Sequence, residues 1–195
     1  VSAVRSAGVD AAAERQIRGI LDSYDRGNPL NLVALSALLA GLRGQGDAAA
    51  SKPAPSATMA PLDVDLPRLL PLDEMAETTA ALVRDVNRLG ARGRDHIIVS
   101  MPRHLAHWPG FLALYWTLIA PLDASEVLHA CSDAVLADAQ CRGARMAAGF
   151  GDAPPPESSR AAIEATLDDF CRNAISRMIP VVSLLRAAMP EKRSR

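Results

Sequence analysis

The segment 100–109, Ser-Met-Pro-Arg-His-Leu-Ala-His-Trp-Pro, holds the densest set of chemically capable side chains in this sequence. Pro102 disfavours helical geometry at Met101, so a helix is expected to begin there. Free backbone N–H groups at that start, with the Ser100 hydroxyl and the Arg103 guanidinium, suit a small carboxylate. The plainer reading is a capped surface helix with Arg103 facing solvent. His104 and His107 lie three apart and share a helical face. A metal site would need a third ligand and usually a carboxylate partner, and the positions of His96 and His129 supply no such spacing. The histidines therefore read as packed or solvated, with no metal or cofactor expected. A Ser100–His104 nucleophile pair is disturbed by the proline between them, and no G-x-S-x-G turn is present. Trp108, Phe111, Tyr115 and Trp116 read as core, or as the wall of an apolar pocket.

The elements that must position these groups follow from apolar spacing. A first helix is expected over 11–25, with Ile17, Ile20, Leu21 and Tyr24 on one face, ended by Gly27. Asn28-Pro29 then reads as an N-cap followed by proline in the first turn of a second helix. That helix carries Leu32, Leu35, Leu38, Leu39 and Leu42 as its apolar stripe. The stretch 44–61, GQGDAAASKPAPSATMAP, is small, polar and proline-bearing and opens a mobile linker that reaches residue 70. Periodicity resumes at Asp73 with Met75, Leu82, Val86 and Leu89 and stops at Gly90. Prolines 102, 109 and 121 divide the next region into two short helices. A longer helix is expected over 124–148, then an APPP loop at 153–156. A last helix starts near Glu157, uses Ile163, Leu167, Phe170, Ala174 and Met178, and bends at Pro180.

Composition agrees with an all-α chain. Of 195 residues 49 % are hydrophobic, and alanine is abundant while alternating β-branched runs are scarce. Lys+Arg number 21 against 22 Asp+Glu, a net charge of −1, which argues against a protein built to coat nucleic acid. The longest uncharged apolar run, 111–122, is too short to span a bilayer, so no membrane partner is expected. No N-terminal stretch has the order of a signal peptide. Cys131, Cys141 and Cys171 are odd in number and lack CxxC spacing, and read as reduced, inert core thiols of a cytoplasmic protein.

An offset of 146 residues aligns 17–43 with 163–189 without a gap. Ile17/Ile163, Leu21/Leu167, Asp22/Asp168, Arg26/Arg172, Leu38/Leu184 and Leu39/Leu185 are identical. Tyr24/Phe170, Val33/Ile179 and Leu35/Val181 are similar. This suggests two related helical units, the first cut short at Val1. The expected organisation is the end of a first repeat over 1–43, a linker over 44–70, a second repeat over 71–190 and a tail over 191–195.

Several of these residues resemble the group I 2-haloacid dehalogenases. They are Tyr24-Asp25-Arg26-Gly27-Asn28-Pro29, then Pro71-Leu72, then Ser100…Leu105-Ala106…Trp108-Pro109, and Ala120-Pro121. The resemblance implies an all-α fold of two repeats packed as a pseudo-dimer, with a hydrolytic site for small 2-halocarboxylic acids in the cleft between them. It also implies that Asn28 helps hold the hydrolytic water and that Ser100 contacts substrate. The catalytic aspartate of the family falls on Met101, and a thioether cannot take a proton from water. His104 is then the nearest replacement base, with Arg103 and Trp108 as further substrate contacts. The alternatives are a non-hydrolytic relative that binds a small carboxylate or metabolite in the same cleft, or a helical module that dimerises through 109–120. A truncated repeat is compatible with a homodimer.

Overall fold

Two backbone N–H groups, those of Ala12 and Ala13, fix where the first long helix starts: both are accepted by the Asp10 carboxylate, at 2.9 and 2.8 Å. Such a cap stabilises a helix by about 1 kcal/mol. The computed structural model describes residues 3–46, 65–147 and 156–189. Among them there is no strand. A short turn of helix, α1 (Ala3–Ser6), precedes α2 (Ala11–Leu42), and a 3-10 turn (Leu72–Glu74) leads into α3 (Glu77–Arg88). Next come α4 (Ser100–Leu105), α5 (Pro109–Ala124) and α6 (Val127–Met146). The last helical stretch is α7 (Glu157–Phe170), a π turn (Cys171–Ile175) and α8 (Ser176–Ala188).

The break expected at Gly27 does not occur. α2 runs through Gly27, Asn28 and Pro29, so Asn28 is an interior helical residue and not an N-cap. Proline removes one N–H and crowds the carbonyl four residues back, yet a helix survives this when tertiary packing holds both sides. Here Ile17, Ile20 and Leu21 anchor α2 in one core before the proline, and Leu32 and Leu39 anchor it in a second core after it. α5 likewise continues past Pro121 to Ala124 and is one long helix, not a short one. Pro180 is accommodated inside α8, with the π turn one turn ahead of it.

α2 and the α7–α8 stretch lie side by side and antiparallel. At one end Arg186 pairs with Asp22 at 2.7 Å and with Asp25, and Arg18 donates to the Met189 carbonyl. At the other end Arg43 pairs with Asp168 at 3.1 Å and Glu164 at 3.8 Å. The larger core joins the first half of α2 to α3, α4, α5 and α8, and the smaller joins its second half to α6 and the π turn. α5 and α6 meet at a bend of 84°. No single described helix is long and apolar enough to cross a membrane. Cys171 is buried, whereas Cys131 and Cys141 are exposed on α6, so only one thiol belongs to the core. Residues 47–64, 148–155 and 190–195, which include most of the expected linker, most of the APPP loop and the tail, lie outside the described residues.

α6 crosses α2 so closely that a Cβ on Gly143 would stand 2.6 Å from the Ala37 nitrogen and from the Ser36 carbonyl carbon. Both neighbours are backbone and cannot turn aside. Gly143→Ala is therefore expected to lower the stability from urea unfolding by about 1–3 kcal/mol. Ser36→Ala, which removes a buried hydroxyl without a partner among the described residues, is expected to be neutral or stabilising by up to about 1 kcal/mol. Equal effects of the two would contradict this description of the crossing.

Candidate functional site

Between Leu21 and Leu32, α2 passes from one core to the other, and only Tyr24 of this stretch packs against the larger core. Tyr24, Asn28 and Asn31 follow at helical spacing, which puts them on one face. A cavity of about 310 Å³ opens against this face. Its opposite walls are Ile97 to Met101, which enter and begin α4, and Phe170, Ala174, Ile175 and Met178 of the last helical stretch. Three residues singled out in the sequence, Asn28, Ser100 and Met101, are thus brought into one cavity. Met101 is 1 % exposed, and its side chain is part of the larger core.

His104 does not line the cavity. Its Nδ1 lies 2.9 Å from the Tyr24 hydroxyl, and the Ser100 hydroxyl also hydrogen-bonds the Tyr24 phenol. Ser100 and His104, whose direct pairing the intervening proline argued against, both meet the Tyr24 hydroxyl instead. Burial raises the Tyr24 pKa to about 12, opposed by the Ser100 hydrogen bond and by the Arg103 charge. Burial holds the His104 imidazole below its ordinary value, helped by His107 and Arg103. A neutral His104 Nδ1 then accepts the Tyr24 proton, leaving the phenol oxygen to accept from Ser100.

Arg103 and Trp108, expected to contact substrate, stand outside the cavity. The Arg103 Nε donates to the Leu70 carbonyl at 2.8 Å, and His107 Nε2 lies 2.9 Å from the Arg68 carbonyl. Arg103 on α4 and His107 just past its end thus both hold the chain at 68–70. Trp108 packs half-buried against the larger core, which Phe111 and Tyr115 enter fully, while Trp116 is exposed. No three His, Cys, Asp or Glu among the described residues are placed to share a metal ion.

Two residues that no motif marked position the cavity wall. Asn87, at the end of α3, donates its side-chain amide to the carbonyls of Asp95 at 3.0 Å and Ile97 at 3.1 Å. Its Oδ1 accepts from the Val99 N–H at 3.1 Å. Arg177 of α8, 1 % exposed, reaches the same residue. It donates to the Asn87 main-chain carbonyl, to the Leu89 carbonyl at 2.9 Å and to Asn87 Oδ1 at 3.2 Å, and its Nε donates to the Asn173 carbonyl at 2.7 Å. The segment that supplies Ile97, Ile98, Val99 and Ser100 to the cavity is therefore tied to α3 and α8. The available signals were an arginine inside an apolar helical run, Ile175 to Val182, and an asparagine inside the apolar stripe of α3.

A more polar groove of about 400 Å³ lies at the far end of the α2–α8 pair. Its charges are already engaged, Arg186 with Asp22 and Asp25 and Arg18 with Glu14; the Asn28 cavity is the candidate site because it brings Asn28, Ser100 and Met101 together.

Comparison with protein-family models, curated proteins and solved structures finds no match for this chain.

Two outcomes follow. Arg177→Met leaves buried carbonyls without their donor and is expected to cost at least about 3 kcal/mol by urea unfolding; a loss below about 1 kcal/mol would contradict the role of Arg177. The lowered His104 pKa means that the unfolded chain binds more protons than the native one below about pH 6.5. This group's contribution is complete above that value and is lost as pH falls through the folded pKa. The difference in urea midpoint between about pH 7.5 and about pH 5 should shrink in His104→Asn; an unchanged difference would refute the assignment.

Proposed function

We propose that this chain is a small-molecule-binding relative of the group I 2-haloacid dehalogenases. It keeps the cleft between two helical repeats and receives there a small, mainly apolar metabolite with one polar head, without breaking a carbon–halogen bond. Small carboxylic acids are the class the resemblance implies. One observation carries the reading: the Asn28 amide is 8 % exposed, lines the cavity and makes no hydrogen bond with the described residues. An amide that opens on a cavity without a protein partner is satisfied by what fills that cavity, a ligand or an ordered water.

The repeat supports the same reading. The aligned pairs Tyr24/Phe170 and Asn28/Ala174 all line the cavity, each copy contributing one residue of each pair. The offset also exchanges the position pairs 18/189 and 164/43, and both are in contact: Arg18 donates to the Met189 carbonyl and Arg43 pairs with Glu164 at 3.8 Å. Reciprocal contacts of this kind are what an isologous pseudo-dimer produces.

Binding is preferred to hydrolysis because the described lining offers no general base. Met101 stands where the family has its aspartate, and Tyr24 holds its proton at neutral pH. The hydrolytic reading survives in one form, with His104 acting on a water through Tyr24 across their 2.9 Å contact.

Halide release from racemic 2-chloropropionate, measured beside ligand-observed NMR on a panel of branched C4–C6 acids, amides and alcohols, separates the two. Binding without halide release, abolished by the cavity-filling Ala174→Phe, is the expected outcome. Halide release that disappears in Asn28→Ala or His104→Ala would restore the hydrolase.

A further inference from the structure

We infer that the cavity selects uncharged ligands whose polar head both donates and accepts a hydrogen bond, a primary carboxamide being the class that fits; this rests on the reading of the cavity as a small-molecule site. The Asn28 amide sets the requirement. It presents two N–H donors on Nδ2 and an acceptor on Oδ1 to the cavity, on a residue 8 % exposed and without a side-chain hydrogen bond among the described residues. Full satisfaction of such a group requires a partner that supplies a donor to Oδ1 and an acceptor to Nδ2. A primary carboxamide does both in one cyclic pair. A carboxylate accepts from Nδ2, but it meets the Oδ1 lone pairs with no proton to offer.

Charge points the same way. None of the described residues that line the cavity is an arginine, lysine or histidine. A carboxylate would give up its hydration without an ion-pair partner, and burying an unpaired charge is among the costliest events in a protein interior. Arg103, whose charge acts on Tyr24, does not line the cavity and is held by the Leu70 carbonyl. Tyr24 and Ser100 in the lining are engaged with each other, so they extend the neutral hydrogen-bonding surface and add no charge. The remaining wall, with Leu35, Ile98, Phe170 and Met178, is apolar and takes a branched aliphatic body. Ligands of the haloacid class, ionised at neutral pH, are therefore disfavoured here by the same residues that make the cavity.

The test uses two probes of one shape, 4-methylpentanamide and 4-methylpentanoate, titrated into the ¹⁵N-labelled chain at neutral pH. The expected result is saturable movement of the Asn28 side-chain NH₂ signals with the amide, at an affinity at least about tenfold above that of the acid. In Asn28→Leu the difference should fall to within about twofold. An acid that binds as tightly as the amide, or more tightly, overturns the inference and leaves the small-molecule site standing. An amide preference that survives in Asn28→Leu overturns the role of Asn28 in it. Saturable binding of neither probe overturns both this inference and the reading on which it rests.

Discussion

Arg177 enters the interior of this protein without a carboxylate beside it, and the structure around the cavity depends on how that charge is satisfied. Its guanidinium is turned onto main-chain carbonyls at the end of α3 and onto the Asn87 side chain. The end of a helix presents unpaired carbonyls and the negative end of its dipole, which suits a buried cation that finds no anion. Burial pushes the Arg177 pKa down, with Tyr115, Asp95 and Asp123 acting against that shift. Gly90, at a φ of +71°, reverses the chain just past this helix end. A Cβ there would come within 3.3 Å of the Arg177 Cβ and 3.1 Å of Leu128, so the approach needs glycine.

Arg177 and Asn87 fix one another, and Asn87 fixes the carbonyls of Asp95 and Ile97 and the N–H of Val99. The segment so held delivers Ser100 and Met101 to the wall of the cavity. On the other side, α2 passes from one core into the second and leaves a polar turn between them. The cavity is the space that neither core fills. Its polar groups on α2 fall at that turn, and its described lining is neutral because the nearby arginines are engaged elsewhere: Arg103 with the 68–70 strand of chain, Arg177 with α3.

Local rules gave the helical character and most helix positions, and they failed at prolines. Asn28-Pro29 has every local mark of a helix start, yet a 32-residue helix runs through it. The deciding factor was burial on both sides of the proline, which lies beyond any local window. Asn28, Ser100 and Met101 were legible as one group only through the resemblance, since their separation in sequence is large. The roles expected of Arg103 and Trp108 assumed that side chains close in sequence to Ser100 would face the same space. A helix turns its residues through 100° per step, and these two point elsewhere. Tyr24 was visible as an apolar-face residue, but its junction position between Ser100 and His104 depends on how α2 and α4 pack. Asn87 and Arg177 look like interruptions of apolar stripes until their partners, which are mostly backbone, are known.

The account stands on the wall of the cavity being held by Asn87 and Arg177. Hydrogen exchange at the Val99 amide tests this directly, because that N–H donates to Asn87 Oδ1 although it lies ahead of the first turn of α4. Protection close to that of Ile119, a fully buried position inside α5, is the predicted result. Exchange of Val99 at the rate of the exposed turn at Gly93 would contradict it, and the cavity would then lack the fixed wall on which its chemistry depends.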